Sequence, residues 1–501
     1  MVLLDGDSLT LEAVHAIATA SDTVALAPEA RRRMEASRAV IENLVASDAA
    51  VYGVTTGFGQ LADVRIEHSQ LRQLQLNLVR SHATGVGEPL RDPEVRAMML
   101  IRANVLAKGL SGIRPAVAEL LCKMLNRRVH PVVPSRGSVG ASGDLAPLAH
   151  MALVLIGEGE ACFDGERLPG DQALGRAGLT PLTLEPKEGI SLLNGTQAML
   201  ALGSLALLEA ETLAESADVI CALSLDALRG TPVAFDPRLH EARPQRGQIQ
   251  SARNLTALLE GSQIRASHIA CRRVQDAYSL RCAPQVHGAV RDVLAPARQT
   301  FSIELNSATD NPLVFGDQVL SGGNFHGQPL AVWLDAMAIA LSSLAGISER
   351  RIDRLVNPEL NEGLPAFLAA HPGLESGLMM LQVTAAALVA ETRLLATPAS
   401  VQSITTSGNK EDFVSMGMTA ALQLQQVVEH TRRVLAIEAL CAAQALDFLL
   451  PLQTGPKAQL AYQAIRSVSA PVRGDRQLST DIVRVAELIR QGGVNYNETR
   501  P

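Results

Sequence analysis

The chain has 501 residues, with 44 lysines and arginines against 51 aspartates and glutamates, a net charge of −7 and 47% apolar residues. Aromatics are only 3% of the chain, so the apolar fraction is Ala, Leu and Val, which favours packed helices over a β-sandwich. Acids and bases are interspersed, and the absence of a basic stripe or aromatic platform excludes a nucleic-acid surface.

In chain order, the start Met1-Val2-Leu3-Leu4-Asp5 carries no charged leader and no long apolar run, so no secretory signal is read. Pro28 opens a helix, at the position where its missing N–H costs nothing. Met34, Ile41, Leu44 and Val45 share one face of that helix. Residues 50–60 form a glycine-rich loop. Residues 92–127 read as helices broken at Gly109-Leu110-Ser111-Gly112. Short strands are expected within 159–182, near Gly165, Pro169 and Gly170. A long helix from Thr196 to about Arg229 is expected to stop at Gly230 as its left-handed cap. The apolar stretch 198–208 meets Glu209, Glu211 and Glu215, so it is too short and too charged to span a membrane. Further long helical patterns cover about 326–355, 375–397 and 410–449. Length alone suggests about three domains. The long helices suggest instead a mostly α bundle with buried central helices. It is expected as a loop-rich N-terminal domain, residues 1–195, and a long-helix domain, residues 196–501. The six cysteines, at 122, 162, 221, 271, 282 and 441, include no Cys-x-x-Cys. No zinc site or disulfide framework is expected, and a reducing compartment, the cytoplasm, fits.

The most informative segment is Gly137-Ser138-Val139-Gly140-Ala141-Ser142-Gly143-Asp144. Within it, Ala141-Ser142-Gly143 can close on itself. The Gly143 amide nitrogen attacks the Ala141 carbonyl carbon, and loss of two waters, one carrying the Ser142 hydroxyl, leaves a 4-methylidene-imidazol-5-one ring (MIO). The ring is an electrophile made from backbone, which replaces a dissociable cofactor. Closure needs a compressed backbone, which flanking glycines permit. The plainer reading is a Gly/Ser turn that opens a helix at Leu145-Ala146-Pro147-Leu148 or cradles an anion. Phosphate loops end in Gly-Lys-Ser/Thr, whereas Asp144 follows Gly143 here. The nucleophile elbow needs Gly-x-Ser-x-Gly, and glycine follows Ser142 directly.

Residues 137–150, Gly-Ser-Val-Gly-Ala-Ser-Gly-Asp-Leu-Ala-Pro-Leu-Ala-His, resemble the signature of the MIO-dependent histidine and aromatic amino-acid ammonia-lyases. Six more segments resemble that family in the same order: Tyr52-Gly53-Val54-Thr55-Thr56-Gly57-Phe58-Gly59, Leu193-Asn194-Gly195-Thr196, residues 275–282 (Gln-Asp-Ala-Tyr-Ser-Leu-Arg-Cys), Asp310-Asn311-Pro312, residues 322–326 (Gly-Gly-Asn-Phe-His) and Lys410-Glu411-Asp412. The resemblance spans about residues 5–490. It implies a long-helix bundle of the histidine/phenylalanine ammonia-lyase type, a homotetramer whose active sites are shared among three subunits, and a small amino-acid substrate; composition, cysteine spacing and segment length argue against a metal, nucleic-acid or membrane partner.

Elimination of ammonia needs an electrophile, a base for a weakly acidic β-proton, and a hold on the carboxylate that aligns the breaking bonds. The electrophile at Ser142 can bond either the amine or the ring of the substrate. Tyr52 is the candidate base, since two of the chain's four tyrosines, Tyr52 and Tyr278, sit in signature segments. A phenol needs activating neighbours for that role. Arg281 is the candidate carboxylate clamp, because guanidinium pairs bidentately with carboxylate. Gln275 and Tyr278 are expected beside it, and Arg272 or Arg273 is expected in an ordinary surface pair. Asn194 is a candidate amide donor to the MIO oxygen, and Phe325 resembles the family's aromatic beside the ring.

Substrate choice falls to His82 and Glu411. The resemblance implies that Ser81-His82 and Glu411 contact an imidazole, whereas tyrosine and phenylalanine members usually carry Gln at the latter position. A carboxylate accepts an imidazole N–H and faces a phenyl ring poorly. Two departures pull the other way: Lys410 replaces the usual Gln, and Phe413 stands where histidine-specific members often have His. The expected reaction is L-histidine to trans-urocanate. The alternatives are tyrosine/phenylalanine ammonia-lyase, an aromatic 2,3-aminomutase, or a non-catalytic helical scaffold that binds anions.

Overall fold

The computed structural model describes residues 1–20, 22–47, 51–269 and 274–495, so Cys271, Arg272 and Arg273 lie outside the described residues. Among the described residues the chain forms nineteen α-helices and nine short strands, a mostly α fold as expected. It divides into two compact units.

The first unit holds residues 1–205, 298–335 and 398–422. Pro28 is the first residue of the helix Pro28–Ala46, with Met34 and Ile41 buried and Leu44 and Val45 packed against the cluster of Ile41, Val54 and Val314. The helices Asp92–Ala107 and Pro115–Arg127 are separated at the expected glycines. The first is buried on every side from Glu94 to Ala107, so its sequence shows little amphipathic period. The strands Glu160–Phe163 and Glu166–Pro169 lie within the stretch where short strands are expected, and they pair antiparallel. Two pairings have no local sequence signal: the parallel pair Val2–Leu4 with Val24–Leu26, and the antiparallel pair Val86–Pro89 with Pro134–Arg136.

The second unit holds residues 206–297, 336–397 and 423–501. The helix Gln197–Ala227 ends within it, and its cap differs from expectation. Arg229, not Gly230, takes the left-handed conformation (φ 51°), while the Gly230 N–H bonds the Leu225 carbonyl at 2.8 Å. This is a Schellman closure one residue earlier than read. Gly230 is still required, since a Cβ there would lie 2.7 Å from Leu225 Cγ.

The expected pattern at 410–449 becomes the helix Gly417–Asp447. Residues 410–416 stay out of it because the Thr406 N–H bonds the Glu411 carbonyl and the Met416 N–H bonds the Val139 carbonyl. Gln328–Val356 is the one described helix long and apolar enough to cross a membrane, and half of its apolar window is buried. A core helix meets the same test.

Candidate active site

The Ala141-Ser142-Gly143 loop is clamped on both sides. Its amide Asp144 N–H donates to the Gly195 carbonyl at 2.7 Å, and Gly143 bridges Gly195. On the other side the Ser415 hydroxyl donates to the Gly140 carbonyl at 3.0 Å. Gly143 has φ +77°, and a Cβ on it would overlap the Gly195 carbonyl. Gly140 has φ +68°, and a Cβ there would overlap the Ser415 hydroxyl. Only glycine fits either place.

Asp144 ties the loop to the start of the helix Gln197–Ala227. Its carboxylate accepts from the Met199 N–H at 2.8 Å and the Ser138 hydroxyl at 2.9 Å. Complete burial nevertheless pushes its pKa up to about 6. Behind Gly195 lies Arg102, fully buried, whose Nη1 donates to the Asn194 carbonyl and to Gln197 Oε1. Burial pulls Arg102 down to about 10, against the attraction of Asp310. Gln197 passes the network on to Thr309, and Asp310 pairs with the buried Lys187 at 3.2 Å.

Ser142 opens into a cleft of about 800 Å³, lined also by Tyr52, His82, Asn194, Phe325 and Glu411. Six residues singled out from separate segments of the sequence thus converge within the first unit. The Ser142 hydroxyl donates to Glu411 Oε1 at 2.9 Å. The other oxygen of Glu411 accepts from the Thr406 and Ser407 hydroxyls, each at 2.7 Å. Lys410 is exposed on the cleft wall, and among the described residues no ion pair joins it to Glu411. His82 ends the helix Leu71–His82, and its Nδ1 lies 2.9 Å from the Leu78 carbonyl. A carbonyl only accepts, so Nδ1 carries a proton in this contact. The Tyr52 hydroxyl accepts from the Gly59 N–H at 3.4 Å, and its ring meets Phe58 edge-on. Asn194 Nδ2 reaches back to the Ile190 carbonyl at 3.4 Å.

The profile of the family described as aromatic amino acid lyase matches residues 9–467. The chain belongs to the aromatic amino acid lyase family. This lyase is 60% identical to the histidine ammonia-lyase of Koribacter versatilis over 98% of each chain. It is 55% identical to the histidine ammonia-lyase of Myxococcus xanthus, over 98% of this chain and 97% of the relative. The crystal structure of histidine ammonia-lyase from Trypanosoma cruzi matches with a TM-score of 0.91 at 44% identity, over 98% of this chain and 94% of that one. Tyrosine aminomutase from Streptomyces globisporus matches with a TM-score of 0.93 at 41% identity, over 98% and 97%.

Three candidate residues of the lyase do not line the Ser142 cleft. Gln275, Tyr278 and Arg281 line a pocket of about 460 Å³ in the second unit, with Arg354 and Glu362. Tyr278 is 72% exposed, and the Arg281 guanidinium sits 4.6 Å over its ring. Arg281 Nε is buried without a hydrogen-bond partner.

Sequence reasoning missed Arg102 and His326. Arg102 had a visible signal, an arginine inside the apolar run Met98-Met99-Leu100-Ile101 to Val105-Leu106-Ala107. His326 lines the cleft, stacked on Phe413 with ring centroids 6.1 Å apart, and its Nε2 reaches the Phe413 carbonyl at 3.2 Å. Its signal was its place at the end of the segment Gly-Gly-Asn-Phe-His.

Proposed function

We propose that this lyase eliminates ammonia from L-histidine to give trans-urocanate, with MIO formed from Ala141, Ser142 and Gly143. The observation that carries the reading is the meeting of Ser142 and Glu411, 269 residues apart in sequence, at 2.9 Å in one cleft with Tyr52 and His82. The residues present fit the ring: both bordering glycines are held where no side chain fits, and Ser142 faces the cleft. Once formed, the ring supplies an electrophilic carbon in place of a dissociable cofactor.

The chain's own residues supply the rest. Glu411, held by Thr406 and Ser407, accepts the imidazole N–H of the substrate, and His82 lines the same cleft. Tyr52 takes the β-proton. Asn194, with its backbone carbonyl held by Arg102, would donate to the oxygen of the closed ring. Phe325 lines the same cleft and would stand beside the ring. Gln275, Tyr278 and Arg281 of the partner subunit complete the site by clamping the carboxylate, in a cytoplasmic homotetramer with shared sites. The high exposure of Tyr278 and the unsatisfied Arg281 Nε support that assignment.

Phe413, 58% exposed on the cleft wall, favours a second reading, an aromatic ammonia-lyase or aminomutase. An absorbance time course of the purified protein with histidine, tyrosine and phenylalanine separates the two. Urocanate from histidine is the expected fastest product. Faster coumarate or cinnamate formation would overturn the histidine assignment and leave the lyase chemistry in place.

A further inference from the structure

A second buried network lies wholly within the second unit, away from every residue discussed so far except one turn. Arg351, fully buried on the helix Gln328–Val356, donates from Nε and Nη2 to the two oxygens of Glu438 at 2.6 and 2.8 Å. Each of those oxygens accepts a second bond, one from the Ser224 hydroxyl at 2.7 Å and the other from the Ser348 hydroxyl at 2.6 Å. The remaining Nη1 of Arg351 faces two acceptors at 3.3 Å: His287 Nε2 and the backbone carbonyl of Ser279. Guanidinium cannot accept, so His287 Nε2 must be unprotonated and its proton sits on Nδ1. Nδ1 then donates to Asp218 Oδ1 at 2.8 Å, and Asp218 Oδ2 accepts from Arg291 and Asn254. Burial lowers the His287 pKa, in agreement with a neutral ring.

Ser279 is the point of contact with the site. It lies in the one-turn helix Tyr278–Arg281, between the two side chains assigned to the substrate carboxylate. The turn closes on three backbone bonds, from the Leu280 and Arg281 N–H groups to the Ala277 carbonyl and from the Cys282 N–H to the Tyr278 carbonyl, and a helix this short depends on outside contacts for its orientation. Its side chains are exposed on one side, while Arg351 grips the carbonyl on the other. A buried ion pair is a poor device for stability alone, since a well-packed apolar pair does as well. It is a good device for fixing one geometry, because Glu438 and His287 leave the guanidinium a single orientation.

We infer that Arg351, locked by Glu438 and the neutral His287, is a positioning residue that sets the aim of the Tyr278–Arg281 turn and so the affinity for the substrate carboxylate. The inference rests on the reading of Arg281 as the clamp. Arg351→Lys keeps the charge but cannot span Glu438 and Ser279 together. KM for histidine is then expected to rise about tenfold while kcat changes less, as lost alignment in binding requires. The intact mass should still lack two waters, because the MIO loop is untouched.

The second variant combines Arg351→Met with Glu438→Gln, which removes both charges and strands neither; it should show the same rise in KM. Arg281→Lys, and Arg281→Lys combined with Arg351→Lys, complete a double-mutant cycle in the tetramer as purified. Strong non-additivity is expected, because Arg351 acts through Arg281. Unchanged KM in the folded Arg351 variants, or additive effects in the cycle, would overturn the inference. If Arg281→Lys itself leaves KM unchanged, the clamp reading fails, and that result is separate.

Discussion

Asp144→Asn probes how the ring-forming loop is anchored. The carboxylate is wholly buried and accepts from Met199, Ser138 and the Ala198 backbone, yet burial outweighs those bonds and lifts its pKa from 3.8 to about 6. The folded chain therefore holds this proton more tightly than the unfolded chain does. Stability from the site is complete below pH 3.8 and is lost as the pH rises through about 6. A shift of about two units corresponds to about 3 kcal/mol at 1.36 kcal/mol per unit. Asparagine keeps the shape and the acceptor toward Met199, while its amide can donate to the Ser138 hydroxyl. The variant carries no charge, so its stability relative to wild type should rise between about pH 4 and pH 7, by up to about 3 kcal/mol. Paired denaturation series at several pH values measure this difference and cancel the other titrating groups. A difference that stays constant over that range, or that falls toward neutral pH, would refute the reasoning. A gain on losing this charge would mean that the loop retains a costly carboxylate beside the reacting atoms.

Further outcomes follow from the same geometry. Tyr52→Phe should fold normally and lower kcat far more than it changes KM, as removal of a base acting in the transition state does; steady-state kinetics with histidine check this. Glu411→Gln, alone or with His82→Leu, should cut histidine turnover and improve tyrosine or phenylalanine relative to it. A buried acceptor left unpaired costs about 1–3 kcal/mol, and a ratio of kcat/KM values that does not move would show that Glu411 does not read the imidazole. Arg102→Lys should lower the denaturation midpoint, because one amine cannot hold both the Asn194 carbonyl and Gln197 Oε1; the loss expected is about 1–3 kcal/mol for the stranded buried groups.

What was legible in the sequence depended on whether the physics was local. Pro28, the Gly109–Gly112 break and the short strands within 159–182 each carry their signal within a few residues, and each appeared where read. The long helices were visible as apolar stretches, although Arg229 rather than Gly230 took the left-handed cap, since hydrogen bonding to Leu225 fixed the position. The parallel pair Val2–Leu4 with Val24–Leu26 was invisible, because three-residue strands are specified by their partner and not by a period of their own.

The same division runs through the site. Ser142 and Glu411 were each found from their own segments, but their contact depends on chain closure over 269 residues. Arg102 was missed because an arginine in an apolar run reads as an interruption until its acceptors, Asn194 and Gln197, are known. Gln275, Tyr278 and Arg281 share a signature with the cleft residues but line another pocket within one chain. A sequence pattern groups residues by chemistry and carries no record of which pocket each one lines.

The central claim is that the electrophile is made from Ala141, Ser142 and Gly143. Intact-protein mass spectrometry of wild type and Ser142→Ala, with histidine turnover measured on the same samples, tests it most directly. Wild type should weigh less than its sequence by two waters and release urocanate. The variant should retain the full sequence mass and lose turnover by several orders of magnitude. A wild-type protein at full sequence mass that still deaminates histidine, or a Ser142→Ala variant with near-normal turnover, would contradict it.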